Sequence, residues 1–248
     1  MNKIMIVTGG SRGIGAATAL LAAQRGYAVC VNYLRNREAA EVVVRDIEKI
    51  GRHAIAVAAN IAVEAEAVHL FETVDKQLGR VTALVNNAGI LEKQTRIEGI
   101  DAARLERVFA TNVTGAFICC REAVRRMSTR QGGEGGGIVN VSSRASQLGS
   151  PGEYIDYAAS KGAVDSLTVG LAKEVAEEGI RVNGVRPGFI YTEMHASGGE
   201  PNRVDRVKAF TPMKRGGTAE EVASAILWLL SEDSAYVTGS FIDVSGGR

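Results

Sequence analysis

IMIVTGGSRGIG, residues 4–15, sets an apolar run, a glycine-rich turn and the start of a helical pattern one after another. Glycine tolerates the backbone angles of a tight turn, and without a Cβ it lets a ligand approach the main chain closely. Gly9, Gly13 and Gly15 supply that turn, with Ser11, Arg12 and Ile14 among them. The helix that opens there offers free N–H groups and the positive end of its dipole to an anion. Strand, glycine turn and helix in that order predict a cradle for the pyrophosphate of a dinucleotide. Glycines in a loop are weak evidence alone, so the rest of the chain has to agree.

It does. Short apolar runs over 4–9, 28–33, 53–59, 81–89, 137–143, 180–188 and 240–246 read as strands. Val, Ile and Ala fill both of their faces, as in a parallel sheet covered on both sides. Between them, 13–25, 36–50, 64–78, 101–128, 157–177 and 219–230 carry apolar residues at three- and four-residue steps and read as helices. Alternating β-α-β units imply right-handed crossovers and a doubly wound sheet of about seven strands. No linker divides the chain, so residues 1–248 are expected to form one α/β domain. Residues 188–218 contain no clear strand and suggest a lid over a site, with a short helix in RVDRVKAF (203–210).

Composition narrows the partners. A formal net charge of +1 gives no reason to expect nucleic acid or an anionic membrane. No apolar run reaches the roughly 18 residues of a membrane span. MNKIMIVTGG runs straight into a short apolar stretch and glycines, unlike a signal peptide. Cys30, Cys119 and Cys120 lack metal-site spacing, which suits reduced, packed thiols in a cytoplasmic protein without a metal centre.

The spacing Gly9-x-x-x-Gly13-x-Gly15 departs from the general G-x-G-x-x-G pattern and resembles the short-chain dehydrogenase/reductase family, in its single-domain branch. Further matches follow in the family's order. NNAG (86–89) comes after the fourth strand, and Asn112 lies in TNVTG. Tyr157 and Lys161 form YAASK, and Pro187 and Gly188 follow the sixth strand. The resemblance covers nearly the whole chain. It implies a Rossmann-type fold, hydride transfer between a nicotinamide cofactor and a carbonyl or secondary alcohol, and a homotetramer. By the same resemblance Tyr157 exchanges a proton with the substrate oxygen, and Lys161 lowers the tyrosine's pKa and bonds the nicotinamide ribose. Asn112 supports a water on the proton path. Asn87, Ala88 and Gly89 line the adenosine side, and Pro187, Gly188, Ile190 and Thr192 the nicotinamide side. Asn60 and Ile61 lie near the adenine, Asn60 standing where relatives often have an aspartate. The pattern is most similar to sugar dehydrogenases and 3-oxoacyl carrier protein reductases.

Helical spacing chooses between the two tyrosines of GEYIDYAASK (152–161). Four positions on from Tyr154 is Ala158, and four on from Tyr157 is Lys161. An ammonium about 4 Å away would lower the phenol's pKa by as much as roughly 3 units. Adjacent strand residues face opposite sides of a sheet, so Ser142 and Ser143 cannot both face the substrate. In relatives the serine sits one position nearer the tyrosine, where Arg144 stands here. Turn formers Gly149, Ser150, Pro151 and Gly152 can absorb the extra residue, so Ser143 is preferred, then Ser142 and Ser146. For the cofactor, the second strand ends in Asn32 and Tyr33 rather than an acid, with Arg35, Arg37 and Arg12 nearby. An acid would bond a ribose 2′-hydroxyl, whereas cations suit a 2′-phosphate, so NADP(H) is expected. The alternative is a dinucleotide-binding regulatory protein without turnover.

Overall fold

Strands apolar on both faces need cover on both faces, and the architecture supplies it. A computed structural model describes residues 3–248. Strands β1 (Ile4–Val7), β2 (Ala28–Tyr33), β3 (Ala54–Ala58), β4 (Ala83–Asn86), β5 (Gly136–Val141), β6 (Ile180–Pro187) and β7 (Phe241–Val244) form one sheet in the order β3-β2-β1-β4-β5-β6-β7. Every pairing is parallel. The main helices are α1 (Gly13–Gln24), α2 (Arg37–Lys49), α3 (Glu64–Gln77), α4 (Ala102–Phe109) and α5 (Gly115–Met127). They are followed by α6 (Ala145–Leu148), α7 (Ile155–Val175), α8 (Met194–Ser197), α9 (Arg203–Val207) and α10 (Ala219–Leu229). This is the doubly wound Rossmann-type arrangement that the sequence predicts.

Alternation along the strands feeds two cores. Ile6, Cys30, Leu84, Ile138 and Val182 pack against Phe71 of α3, Met127 of α5 and Leu167 of α7. Met5, Val29, Val85, Val139 and Val185 pack on the other face against Ala19 of α1, Ile47 of α2 and Ile226 of α10. All three cysteines are free and buried, and burial pushes their thiols up, away from reactivity. Strand order reverses between β1 and β4, and a crevice opens at the carboxyl ends of strands at such a point.

Two helices differ from their sequence pattern. The single helix expected over 101–128 is broken into α4 and α5 by a π-helical turn, Ala110–Thr114. Asn112 sits in that turn, buried, with its side chain tied to neighbouring elements. Its Nδ2 donates to the Ile90 carbonyl (3.1 Å) and to Ser160 Oγ (3.0 Å), and its Oδ1 accepts from Ile90 N–H (2.8 Å). The wider turn is where the chain turns this amide inward, a placement common for functional residues. Helix α7 begins at Ile155, two residues ahead of the expected 157, so Tyr157 lies in its first turn.

A buried ion pair fixes that first turn. Asp156 accepts from Arg104 of α4 through Nε (2.7 Å) and Nη2 (3.1 Å), with 1% and 9% of the two side chains exposed. Arg104 Nη1 donates to the Lys93 carbonyl (2.7 Å), so three elements meet at one guanidinium. Burial opposes ionisation of Asp156, but the bonds from Arg104 outweigh it and hold the carboxyl below its usual range. Removing one partner of such a pair leaves an uncompensated buried charge at a cost of about 3–5 kcal/mol. Asp156→Asn is expected to lower unfolding stability by about 3 kcal/mol in urea titration. Arg104→Met/Asp156→Leu should recover most of it. Because the folded pKa is depressed, the pair's stabilisation is present above pH ~4 and fades as pH falls through the lower folded value. A single-variant loss under about 0.5 kcal/mol would show that the pair does not anchor α7.

Candidate active site

The glycine turn is held from behind by three polar side chains. Thr8 Oγ1 accepts from the N–H groups of Asn87 and Ala88 (3.0 Å each). Asn87 Nδ2 donates to the carbonyls of Thr8 (2.9 Å) and Gly9 (3.0 Å). Asn32 Oδ1 accepts from Gly9 N–H (3.3 Å), while its Nδ2 donates to the carbonyls of Val57 (3.2 Å) and Ala59 (3.0 Å). The carboxyl ends of β1, β2, β3 and β4 are thereby stapled together. The sequence reading sets Asn32 against the cofactor. The structure instead buries it, with its amide spent inside the protein, where it shapes the turn.

The turn has no room for side chains. Gly9 and Gly13 have φ of +61° and +52°, which favour glycine. A Cβ on Gly15 would lie 2.3 Å from the Gly9 carbonyl oxygen and 2.6 Å from Asn87 Nδ2. Helix α1 starts there, and no side chain caps its first N–H groups. These are the features that a pyrophosphate cradle requires. Ser11 is partly exposed beside it and Arg12 is exposed. Thr192, at the start of the lid, comes within 3.2 Å of where a Gly13 Cβ would stand, so the lid meets the cradle.

The residues expected beyond β2 and β3 divide by environment. Arg35 is exposed beside partly buried Tyr33 and, like Arg12, has no ion pair among the described residues. Arg37 is committed to Glu41, one helical turn on, at 2.6 Å. Asn60 Oδ1 accepts from Ala62 N–H (3.1 Å) and its own N–H donates to Glu66 (2.7 Å), which fixes the turn after β3. Ile61 is buried beneath Gly115, so only its backbone is available to a ligand.

The other side of the crevice carries the acid-base candidates. The ladder continues past Val141 through Ser142 N–H, which donates to the Val185 carbonyl (2.9 Å). Ser142 turns inward, and its Oγ donates to the Lys161 carbonyl (3.2 Å). Ser143 consequently faces the crevice, where its hydroxyl is the polar neighbour that favours the Tyr157 phenolate. Ser146 Oγ donates to the Ser143 carbonyl (2.8 Å). Between α6 and α7 the chain turns sharply, with Gly149, Ser150 and Gly152 all at positive φ. Asn112 and Ser160 brace the back of this floor, and Ser160 Oγ also donates to the Tyr157 carbonyl (2.7 Å). With its amide so engaged, the Asn112 side chain braces the segment after β4 against α7.

Charge on this floor differs from the sequence expectation. Lys161 is buried, and its Nζ donates to the Val141 carbonyl (2.7 Å) while lying 5.7 Å from the centre of the Tyr157 ring. Burial lowers its pKa to about 8. Tyr157 is partly exposed at the cleft, yet crowding of its hydroxyl pushes its pKa up to about 12. Ser143 and the positive field of Arg203 work against that rise without overcoming it. The expected depression by Lys161 is not among the influences on Tyr157, which are burial, Ser143 and Arg203.

Sequence reasoning missed much of the lid's contribution. Tyr154 is buried, and its hydroxyl donates to the Gly198 carbonyl (3.2 Å), tying α7 to the lid. His195 Nε2 is 3.0 Å from the Ile190 carbonyl, its Nδ1 is buried without a partner, and burial keeps its pKa below the usual range. Arg203 and Arg248 also reach the cleft. Nothing in the periodicity of 188–218 marks these residues, because their positions depend on how the lid folds back. The cleft they enclose is about 490 Å³. Ile14, Asn87, Pro187, Gly188, Ile190 and Thr192 line it toward the cradle, with Gly89 beside Lys161 Nζ.

Comparison with known proteins agrees with this geometry. The family model described as enoyl-(acyl carrier protein) reductase matches residues 9–248. YgfF of Escherichia coli (strain K12), an uncharacterized oxidoreductase, is 63% identical over 245 residues, 99% of each chain. The 3-oxoacyl-[acyl-carrier-protein] reductase of Synechocystis sp. is 39% identical over 99% of this chain and 96% of its own. A crystal structure of a short chain dehydrogenase from Burkholderia cenocepacia in complex with NADP superposes with a TM-score of 0.91 at 31% identity, covering 99% of this chain and 97% of that one. The chain belongs to the short-chain dehydrogenase/reductase family. It is an oxidoreductase of that family.

The register of β5 can be checked directly. Losing one hydrogen-bond donor to a developing oxyanion costs about 10²–10³ in kcat. Ser143→Ala is expected to show that loss, while Ser146→Ala stays within a few-fold of the parent. Steady-state kinetics in which Ser142→Ala or Ser146→Ala collapses and Ser143→Ala does not would move the site to the other serine.

Proposed function

We propose that the protein transfers hydride between NADP(H) and a carbonyl or secondary alcohol, with Tyr157 as acid and base. The observation that carries this is the convergence of Ser143, Tyr157 and Lys161 on one wall of a cleft whose other end is the glycine cradle. The cradle fits a dinucleotide: the turn packs so tightly that a Cβ at Gly15 would strike the Gly9 carbonyl, and the N-cap residue of α1 makes no side-chain bond to the N–H groups beside it. Gly9, Ser11, Arg12, Gly13, Ile14 and Gly15 would hold the pyrophosphate. Asn87, Ala88 and Gly89 would flank the adenosine side, with Pro187, Gly188, Ile190 and Thr192 around the nicotinamide. Bound there, the cofactor supplies the hydride chemistry.

The protein's own groups handle the proton. In reduction Tyr157 gives its phenolic proton to the substrate oxygen, and in oxidation it takes one back. Ser143 donates a hydrogen bond to that oxygen and holds it in line with the phenol. A pKa pushed up to about 12 keeps Tyr157 protonated at neutral pH, which suits the acid role in reduction. Lys161 spends one of its protons on Val141, leaving two to reach a ribose hydroxyl. Its charge then favours the phenolate that remains after proton transfer.

Cofactor choice rests on Arg12 and Arg35, the two exposed cations near the end of β2 without an acidic partner. Charge-assisted bonds of this kind are worth about 1.5–3 kcal/mol. A spectrophotometric screen of carbonyls and alcohols should find turnover with higher kcat/KM for NADP(H) than NAD(H). Arg35→Ala should erode that preference about tenfold. NADPH binding without reduction of any carbonyl would favour the regulator, and a preference for NAD(H) would overturn the cofactor assignment.

Assembly as a homotetramer is part of the same proposal. Leu105 and Phe109 of α4, Phe117 of α5 and Val169 of α7 are exposed apolar side chains on helices that pack together. Clustered exposure of this kind marks association surfaces. Light scattering at micromolar concentration should give four chain masses, and a single chain mass would refute the assignment.

A further inference from the structure

The lid end of the cleft concentrates guanidinium groups. Arg144, Arg203 and Arg248 all line it, with Glu153 as the acid beside them. Arg144 donates to Asp243 (2.7 Å) and Arg203 to Glu153. The outer neighbours are paired as well, Arg186 with Asp165 (3.0 Å) and Arg206 with Glu200. The Arg248 side chain alone has no carboxylate partner among the described residues. It nonetheless stacks on Phe189, with its guanidinium 4.4 Å from the ring centre. Arg203 lies 5.5 Å from the same ring centre, and 4.8 Å from that of Tyr154.

Two cations over one aromatic ring repel each other. The ring quadrupole offsets part of that repulsion, about 0.5–2 kcal/mol for each contact. Arg203 is 6% exposed, and its Nε and Nη1 are buried without a hydrogen-bond partner. Leaving donors of a charged group unpaired costs more than leaving a neutral group so. A buried, partly unpaired guanidinium beside an unpaired one is an arrangement that an anion relieves. Planar forks suit a carboxylate bidentately, and a single unpaired guanidinium matches a monoanion. Tyr157 lines the same cleft as these guanidinium groups.

We propose that Arg248 and Arg203 bind a carboxylate of the substrate, so that the reaction takes small oxo acids and the corresponding hydroxy acids. This rests on the hydride-transfer reading above. It adds the substrate class: charge at the lid end sets the orientation, and the carbonyl then lies toward Ser143 and Tyr157.

Two measurements separate the inference from the reading beneath it. The first compares kcat/KM, with NADPH, for short oxo acids against their methyl esters. Acids should be favoured about 10- to 100-fold, the worth of a charge-assisted bond. Arg248→Gln should shrink that ratio about tenfold or more. Equal rates for acids and esters, or a preference for a neutral 3-oxoacyl thioester, would overturn the inference while leaving hydride transfer intact. The second needs no turnover. Calorimetric titration with succinate, against its diamide and inorganic phosphate, should show succinate binding that weakens in Arg248→Gln. Tighter binding of phosphate than succinate would overturn the carboxylate assignment. A rise in NADPH Kd in Arg248→Gln as large as the fall in the acid-to-ester ratio would reassign the cations to the cofactor. Reduction of no carbonyl, with succinate still bound through Arg248, would sink the hydride-transfer reading alone.

Discussion

Everything at this site depends on how closely main chain packs at the end of β1. The Gly15 α-carbon is pressed against the Gly9 carbonyl and the Asn87 amide, leaving no space for one carbon atom. Such packing is stable only if the backbone groups around it are satisfied, since a buried unpaired donor or acceptor costs about 1–3 kcal/mol. Thr8, Asn32 and Asn87 satisfy them. Their side chains bond across four strands, so the cradle is part of the sheet rather than a loop resting on it. An anion approaching α1 meets N–H groups already aimed and needs little rearrangement, which is how preorganised dipoles act most strongly.

The second half of the site is built from the same sheet edge but under a different constraint. Lys161 is an ammonium in a buried position, and only the Val141 carbonyl is close enough to bond it. Burial lowers the pKa of the lysine and raises that of Tyr157, so both groups shift toward their neutral forms. Asn112 and Ser160 brace α7 against the segment leaving β4.

How much of this was legible in the sequence follows from where each constraint lies. The sheet could be read because β-strand burial writes itself into Val, Ile and Ala runs, and the cradle because glycine is demanded by close contact. That Ser142 and Ser143 face opposite ways could be read because strand alternation is rigid. The break between α4 and α5 was hidden, since a π-helical turn leaves the apolar spacing almost intact and reveals itself only through the partners of Asn112. Asn32 was misjudged for a related reason. Its position at the end of β2 was right, but local sequence cannot show that three backbone groups compete for its amide. The tyrosine's charge balance was misjudged because spacing gives proximity and says nothing about desolvation.

The lid shows why substrate recognition is the least legible part. Its residues carry little periodicity, and its helices α8 and α9 are single turns. What fixes them is contact with the scaffold. Tyr154 bonds the Gly198 carbonyl, Arg203 stacks on Tyr154 and Phe189, and Ile190 pairs with Gly217. Each contact joins one lid residue to a position whose own place is set by β6 or α7. The side chains of this segment can therefore vary without disturbing Ser143, Tyr157 and Lys161, provided those few anchors persist. Arg203 does two things: as an anchor it stacks between two rings, and as a charge it favours the Tyr157 phenolate. A residue with two such roles links what the cleft binds to how readily its tyrosine gives up a proton.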